Sequence, residues 1–122
     1  MKYMNIKLND KEPIYLQIIE YIKKELIKGN LQPGQVIPSR REFAEMIQVN
    51  PNTVQRAYKE MEGMGLITTM RNSQSEITLD KKFLNSLKEN YIEEKVSEFI
   101  NVMKSINMSK EDIINLIDKK TD

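Results

Sequence analysis

Residues 38–58, PSRREFAEMIQVNPNTVQRAY, hold two helix-start signals close together, and the helices that these signals open decide the fold. Ser39 opens the pattern SRRE, a cap-capable hydroxyl with Glu42 three residues on, the reciprocal capping box that satisfies two orphan amides. Phe43, Ala44 and Ile47 then supply a short apolar face, which predicts a helix of about nine residues. Asn50 is a good N-cap, and Pro51 falls at the first helical position, where its missing N–H costs nothing. Val54, Ala57, Tyr58 and Met61 carry the stripe of this next helix as far as Gly63-Met64-Gly65. Its opening turn is unusually polar. Asn50, Asn52, Thr53, Gln55 and Arg56 can all make directional hydrogen bonds. Two short helices across a tight connection are the layout of a helix-turn-helix, whose second helix presents its N-terminal residues to base edges in the DNA major groove.

Upstream, PIYLQIIEYIKKELIKG (13–29) repeats Ile14, Ile18, Tyr21, Ile22 and Leu26 at three- and four-residue steps, predicting a first helix that ends at Gly29. The link NLQPGQVIP (30–38) reads as a turn at Pro33-Gly34, with Pro38 barring a helix from running through. Downstream, LITTM (66–70) and SEITL (75–79) read as two short strands joined by RNSQ (71–74), a hairpin in the place of a wing. The fold class expected is mostly α with a small β-hairpin: a winged helix-turn-helix over residues 1–79, followed by a short two-helix dimerisation tail over 80–122. In the tail, Ile92, Val96, Phe99, Met103 and Ile106 step by four and three, the spacing of a coiled-coil-like seam, and Leu84, Leu87 and Tyr91 continue it upstream. Ser109 with Asp112 predicts the cap of a last helix, whose apolar face includes Ile113, Ile114 and Ile117.

Composition removes whole classes of function. The 122 residues include neither cysteine nor histidine, so there is no disulfide framework, no thiol nucleophile and no imidazole base or ligand. No enzyme, cofactor or metal is expected. Acidic neighbours such as Glu93-Glu94 and Glu111-Asp112 point about 100° apart on a helix and do not converge. No apolar run reaches the roughly 18 residues of a membrane span, and the start MKYMNIKLNDKEP lacks the apolar centre of a leader, so a cytoplasmic protein is expected. Charge is close to balanced throughout. Residues 1–35 carry six lysines against four acids, 36–79 five basic against five acidic residues, and 80–122 eight lysines against nine acids. What differs is residue type, since all four arginines (Arg40, Arg41, Arg56 and Arg71) lie in the middle segment, and arginine is the better fork for phosphates and guanine edges.

The ordered run from PIYLQI through LQPGQVIPSRREFAEMIQVNPNTVQRAYKEMEGMGLI resembles the winged helix-turn-helix of the GntR family of bacterial transcription regulators. The short tail and the VNPNTVQRAY form of the recognition helix are similar to its YtrA-like subfamily. The resemblance implies a dimer on a roughly palindromic double-stranded DNA operator, and the function expected is that of a homodimeric repressor. It implies DNA contacts from Arg41 in the PSRRE segment, from Asn50, Asn52, Thr53 and Gln55 with Arg56 beside them, and from Arg71 and Asn72 at the wing tip, with Arg40 a further candidate. The family normally carries glycines at the wing tip, where this chain has RNSQSE, with Asn72 the residue able to turn left-handed.

Blander readings stand beside these. Arg40 and Arg41 serve as solvated helix-start residues, Arg56 and Lys59 pair with Glu60 and Glu62, and Arg71 is a solubility residue. The tail stripe packs on its own domain rather than on a second copy. As a whole, the chain is alternatively a protein-interaction module with a degenerate wing that modulates another regulator. A small effector, if one acts, is expected at the dimer interface or beside the tail, because two short helices make a poor container for a drug-sized ligand.

Overall fold

The computed structural model describes residues 5–72 and 74–122; Ser73 of the expected hairpin tip and the first four residues lie outside them. The chain divides into two units, Met1–Asn85 and Ser86–Asp122.

In the first unit, helix α1 spans Ile14–Lys28, strand β1 Val36–Ile37, helix α2 Arg40–Ile47, helix α3 Pro51–Gly63, strand β2 Ile67–Thr69 and strand β3 Ser75–Ile77. Helix α1 ends where the sequence places its stop. Gly29 takes φ 86°, and the amides of Asn30 and Leu31 turn back to the Glu25 carbonyl at 2.9 and 3.2 Å, satisfying a carbonyl that the helix end would otherwise orphan. The buried face of α1 is wider than the periodicity predicts. Ile18 and Ile22 are fully buried as expected, and Ile19, Gln17 and Glu25 are buried with them, whereas Ile14, Tyr21 and Leu26 are half-buried. Gln17 tolerates burial because its amide is bonded on both sides: Nε2 donates to the carbonyls of Asn9 and Glu12, and Oε1 accepts from the Asn9 amide. It thereby ties the stretch before α1 down onto the helix.

Both predicted caps form. The Ser39 hydroxyl accepts from the Glu42 amide, and the Glu42 carboxylate accepts from the Ser39 amide. The Asn50 side chain accepts from the Asn52 amide at 2.8 Å, with Pro51 first in the helix. Helix α2 stops after eight residues because Gln48 turns left-handed (φ 59°) and the Val49 amide closes onto the Ala44 carbonyl at 3.1 Å. That turn sets α3 against α2. Phe43, Ala44, Val54, Ala57, Tyr58 and Met61 meet Ile18 and Ile22 of α1 in one core, with the Phe43 and Tyr58 rings edge to face at 5.9 Å.

The sheet departs from the expected hairpin. It has three strands in the order β1-β3-β2, all antiparallel, with Val36 opposite Glu76 and Ile37 opposite Ser75. The segment expected only to link α1 and α2 thus supplies an edge strand. The Pro33-Gly34 turn prolongs that pairing, since the Gly34 amide donates to Ile77 O and the Ile77 amide to Gln35 O, each at 2.9 Å. Leu31, Ile37, Leu66, Ile67 and Ile77 close the core beneath the sheet.

Helix α4 spans Lys81–Ser105 and helix α5 Lys110–Lys120. Between them Asn107 is left-handed (φ 62°) and the Met108 amide reaches back to the Met103 carbonyl at 3.0 Å, the closing bond of a helix C-terminus. Ser109 caps α5 by accepting from the Asp112 amide, as its spacing predicts. Within the second unit Ile113 is buried. The seam residues are not: Ile92, Val96 and Phe99 stand exposed on α4, as does Ile106 just beyond its end, while Leu87, Tyr91 and Met103 are half-buried. Leu84, in the first unit, is half-buried, and Ile117 on α5 is exposed.

Candidate nucleic-acid interface

Helix α3 sorts its residues cleanly by face. Val54, Ala57, Tyr58 and Met61 are fully buried, while Asn52, Gln55, Arg56 and Lys59 are exposed at the three- and four-residue steps that keep them on one outward stripe. Thr53 flanks that stripe, half-buried. Asn50 and Pro51 meet the needs of the helix start, and the side chains of Asn52, Thr53 and Gln55 have no protein hydrogen-bond partner among the described residues, which leaves them able to bond outward. The first turn carries no acid, leaving the positive end of the helix dipole uncompensated on the same surface.

An open cleft of ≈ 570 Å³ lies where α3 begins. Asn50, Asn52, Thr53 and Arg56 form one side, and Pro13, Ile14 and Tyr15 at the start of α1 form the other. The expected residues Asn50, Asn52, Thr53 and Arg56 are therefore gathered at one place, and among the described residues no acidic side chain lines it. Tyr15 is a member of this cleft that the sequence reading does not single out. The Arg56 guanidinium carbon sits 3.8 Å from the centre of its ring, and Nη2 donates to the Tyr15 hydroxyl at 3.0 Å. Arg56 Nε also lies 3.7 Å from a Glu60 carboxylate oxygen, one of the pairings that the sequence allows.

The two arginines that open α2 have different surroundings. Arg41 is exposed and has no protein partner among the described residues. Arg40 is turned inward, where its Nη2 pairs with the Glu62 carboxylate and its guanidinium carbon lies 5.5 Å from the centre of the Tyr58 ring. Its Nε is buried with no hydrogen-bond partner among the described residues. Tyr58 is pinned from the other direction, its hydroxyl donating to the Pro38 carbonyl at 2.6 Å. Burial pushes the Tyr58 phenol well above its usual range, against the pull of the Arg40 charge, so it remains a neutral donor. This chain of contacts joins the start of α2, the Pro38 corner and the last turn of α3.

At the wing, Arg71 and Asn72 are exposed. Asn72 does not turn left-handed: among the described residues only Gln48 and Asn107 do so outside glycine. Its side-chain oxygen accepts from the Gln74 amide at 3.0 Å, and the Met70 amide donates to the Gln74 carbonyl at 2.7 Å. Thr69 and Ser75 hydroxyls meet at 3.3 Å below it. Among the described residues no helix is long and apolar enough to cross a membrane, and no group of three or more acidic residues converges as a metal site.

A three-helix unit with a capped, outward-polar third helix and a small sheet after it is a winged helix-turn-helix DNA-binding module. The family model described as "Bacterial regulatory proteins, gntR family" matches residues 14–77, the span from the first turn of α1 to the end of β3. The chain is 36% identical over 111 residues to the uncharacterized HTH-type transcriptional regulator YhcF of Bacillus subtilis, covering 91% of this chain and 92% of that one. It is 47% identical over 70 residues to the HTH-type transcriptional repressor YtrA of the same organism, covering 57% of this chain and 54% of YtrA. A solved GntR family transcriptional regulator from Listeria monocytogenes superposes with a TM-score of 0.88 at 35% identity, over 93% of this chain and 100% of that one. The protein belongs to the GntR family: it is a DNA-binding transcriptional regulator and not an enzyme.

Proposed function

We propose that the protein is a homodimeric repressor that reads a pseudo-palindromic operator, with residues 1–79 binding DNA and residues 80–122 dimerising. The observation that carries this reading is the division of labour at the start of α3. Asn50 and Pro51 cap the helix, and Asn52, Gln55 and Arg56 are left exposed with Thr53 beside them. In this reading Asn52 and Gln55 meet base edges in the major groove, where amide side chains pair bidentately with adenine. Arg41, exposed and without a protein partner among the described residues, takes a phosphate, and Arg71 and Asn72 approach the backbone from the wing. The exposed apolar stripe of α4 supports the dimer, because a second copy covers it without any further element. The repressor sign rests on likeness to YtrA, which is named a repressor.

Selection of bound sequences from a random duplex library at near-physiological salt tests DNA reading and symmetry together. The expected product is a two-fold site with half-sites about 10 bp apart, one helical turn. Within it, Gln55→Ala or Asn52→Ala should relax base preference at one position per half-site, at a cost of about 1–3 kcal/mol for a lost bidentate contact. Enrichment of nothing, with binding only at low salt, would remove α3 as a reader and direct the search to a protein partner.

A further inference from the structure

We infer that Tyr15, at the start of α1, is a positioning residue for Arg56: its ring holds the guanidinium at the edge of the α1–α3 cleft as a preset fork for one DNA phosphate. This rests on the reading that Arg56 contacts DNA, and it adds a residue of a different helix to that contact.

Three contacts fix the guanidinium. Its carbon lies 3.8 Å from the centre of the Tyr15 ring, Nη2 donates to the Tyr15 hydroxyl at 3.0 Å, and Nε faces Glu60 at 3.7 Å. A guanidinium presents five N–H groups in a rigid planar fork. These contacts occupy one face and part of the rim, and the Nη1 amino group has no protein partner among the described residues. An exposed arginine normally samples many rotamers, and ordering it on a ligand costs conformational entropy; one already stacked on a ring has lost much of that freedom before the ligand arrives.

The surroundings suit a phosphate oxygen. The cleft beside the fork is lined by the uncharged polar side chains of Asn50, Asn52 and Thr53 and by the first residues of α1. The starts of α1 and α3 both border it, and neither helix has an acid in its first turn, so both dipoles favour an anion there. Among the described residues, Glu60 is the acid against the guanidinium. Its carboxylate lies 3.7 Å from Nε, and both side chains are exposed, so solvent screens the pair and leaves the fork able to take a phosphate as well.

The test is a double-mutant cycle on binding to a duplex carrying the selected site, with a scrambled duplex as reference, across a series of salt concentrations. Arg56→Ala should lower affinity and reduce the slope of log affinity against log salt by about 1, the signature of one lost phosphate contact. Tyr15→Ala should weaken binding to both duplexes by about two- to fivefold, the scale of an exposed cation–π contact. In the Arg56→Ala background Tyr15→Ala should have no further effect, and Tyr15→Phe, which keeps the ring, should stay within about twofold of wild type. Thermal unfolding of each variant identifies any loss of fold.

The two ideas fail separately. If Arg56→Ala binds like wild type with an unchanged slope, the DNA role of Arg56 falls and the positioning role with it. If Arg56→Ala weakens binding but Tyr15→Ala weakens it by the same factor with or without Arg56, the DNA role stands, and Tyr15 acts on its own or through the packing of α1.

Discussion

Arg40 and Arg41 are neighbours of one type with opposite environments, so they separate stability from binding at single-residue scale. Arg40 bridges the start of α2 to Glu62 at the end of α3, against the Tyr58 ring. Replacing it with alanine removes a half-buried ion pair and a cation–π contact, and should lower stability by about 1–2 kcal/mol, read as a fall in denaturation midpoint. Arg41→Ala should leave the midpoint within about 0.5 kcal/mol of wild type, as expected for an exposed side chain. Its effect should appear in DNA binding, as weaker affinity on every duplex and a shallower salt dependence. The opposite pattern, with Arg41 needed for stability and Arg40 only for binding, would overturn this assignment. Residue type alone does not separate the two, and only the family resemblance favours Arg41, because the partner that turns Arg40 inward, Glu62, lies 22 positions away. Tyr15 is hidden in the sequence for the same reason, being 41 positions from Arg56.

At the scale of elements, legibility tracks the range of the interactions involved. The helix boundaries at Ser39, Asn50 and Ser109 are readable because a cap is chemistry between residues two or three apart. Strand β1 is not readable, since two residues carry no periodicity and its existence depends on pairing with the remote β3. Gly34 is where this remote pairing makes a local demand. It adopts φ 76° while its amide bonds Ile77, and a Cβ built on it would lie 2.7 Å from Leu79 Cδ2. The Leu79 side chain is largely exposed and can swing aside, so the backbone conformation sets most of the cost. Gly34→Ala should therefore destabilise the first unit by about 1–3 kcal/mol, with faster amide exchange at Ile77 as the local sign that the β1–β3 ladder has loosened. A midpoint equal to wild type would mean that the turn accepts a different backbone path.

At the scale of the molecule, the unexplained feature is apolar surface. Ile92 is 47% exposed, Val96 54%, Phe99 42% and Ile106 62%, in the four-three rhythm that one helix offers to another. Within its own unit the chain buries Ile113 of α5 but leaves this stripe open. In the proposed homodimer this stripe meets its own copy, as a two-fold interface requires. Stable interfaces bury on the order of 800 Å² from each partner, so α4 and the exposed Ile114 and Ile117 of α5 are expected to contribute together. Phe99→Glu places a charge on this exposed stripe of the second unit. If the proposed dimer forms through this surface, the substitution should raise its dissociation constant by more than about 100-fold, as loss of a central aromatic anchor does, giving a monomer by sedimentation equilibrium. Operator affinity should fall with it by a factor on the order of 10²–10⁴, because two half-sites are then bound independently. The unfolding midpoint of the winged unit should not move. A Phe99→Glu protein that remains dimeric would locate the interface elsewhere, whereas one that turns monomeric yet holds its full operator with wild-type affinity would show that dimerisation and DNA reading are uncoupled.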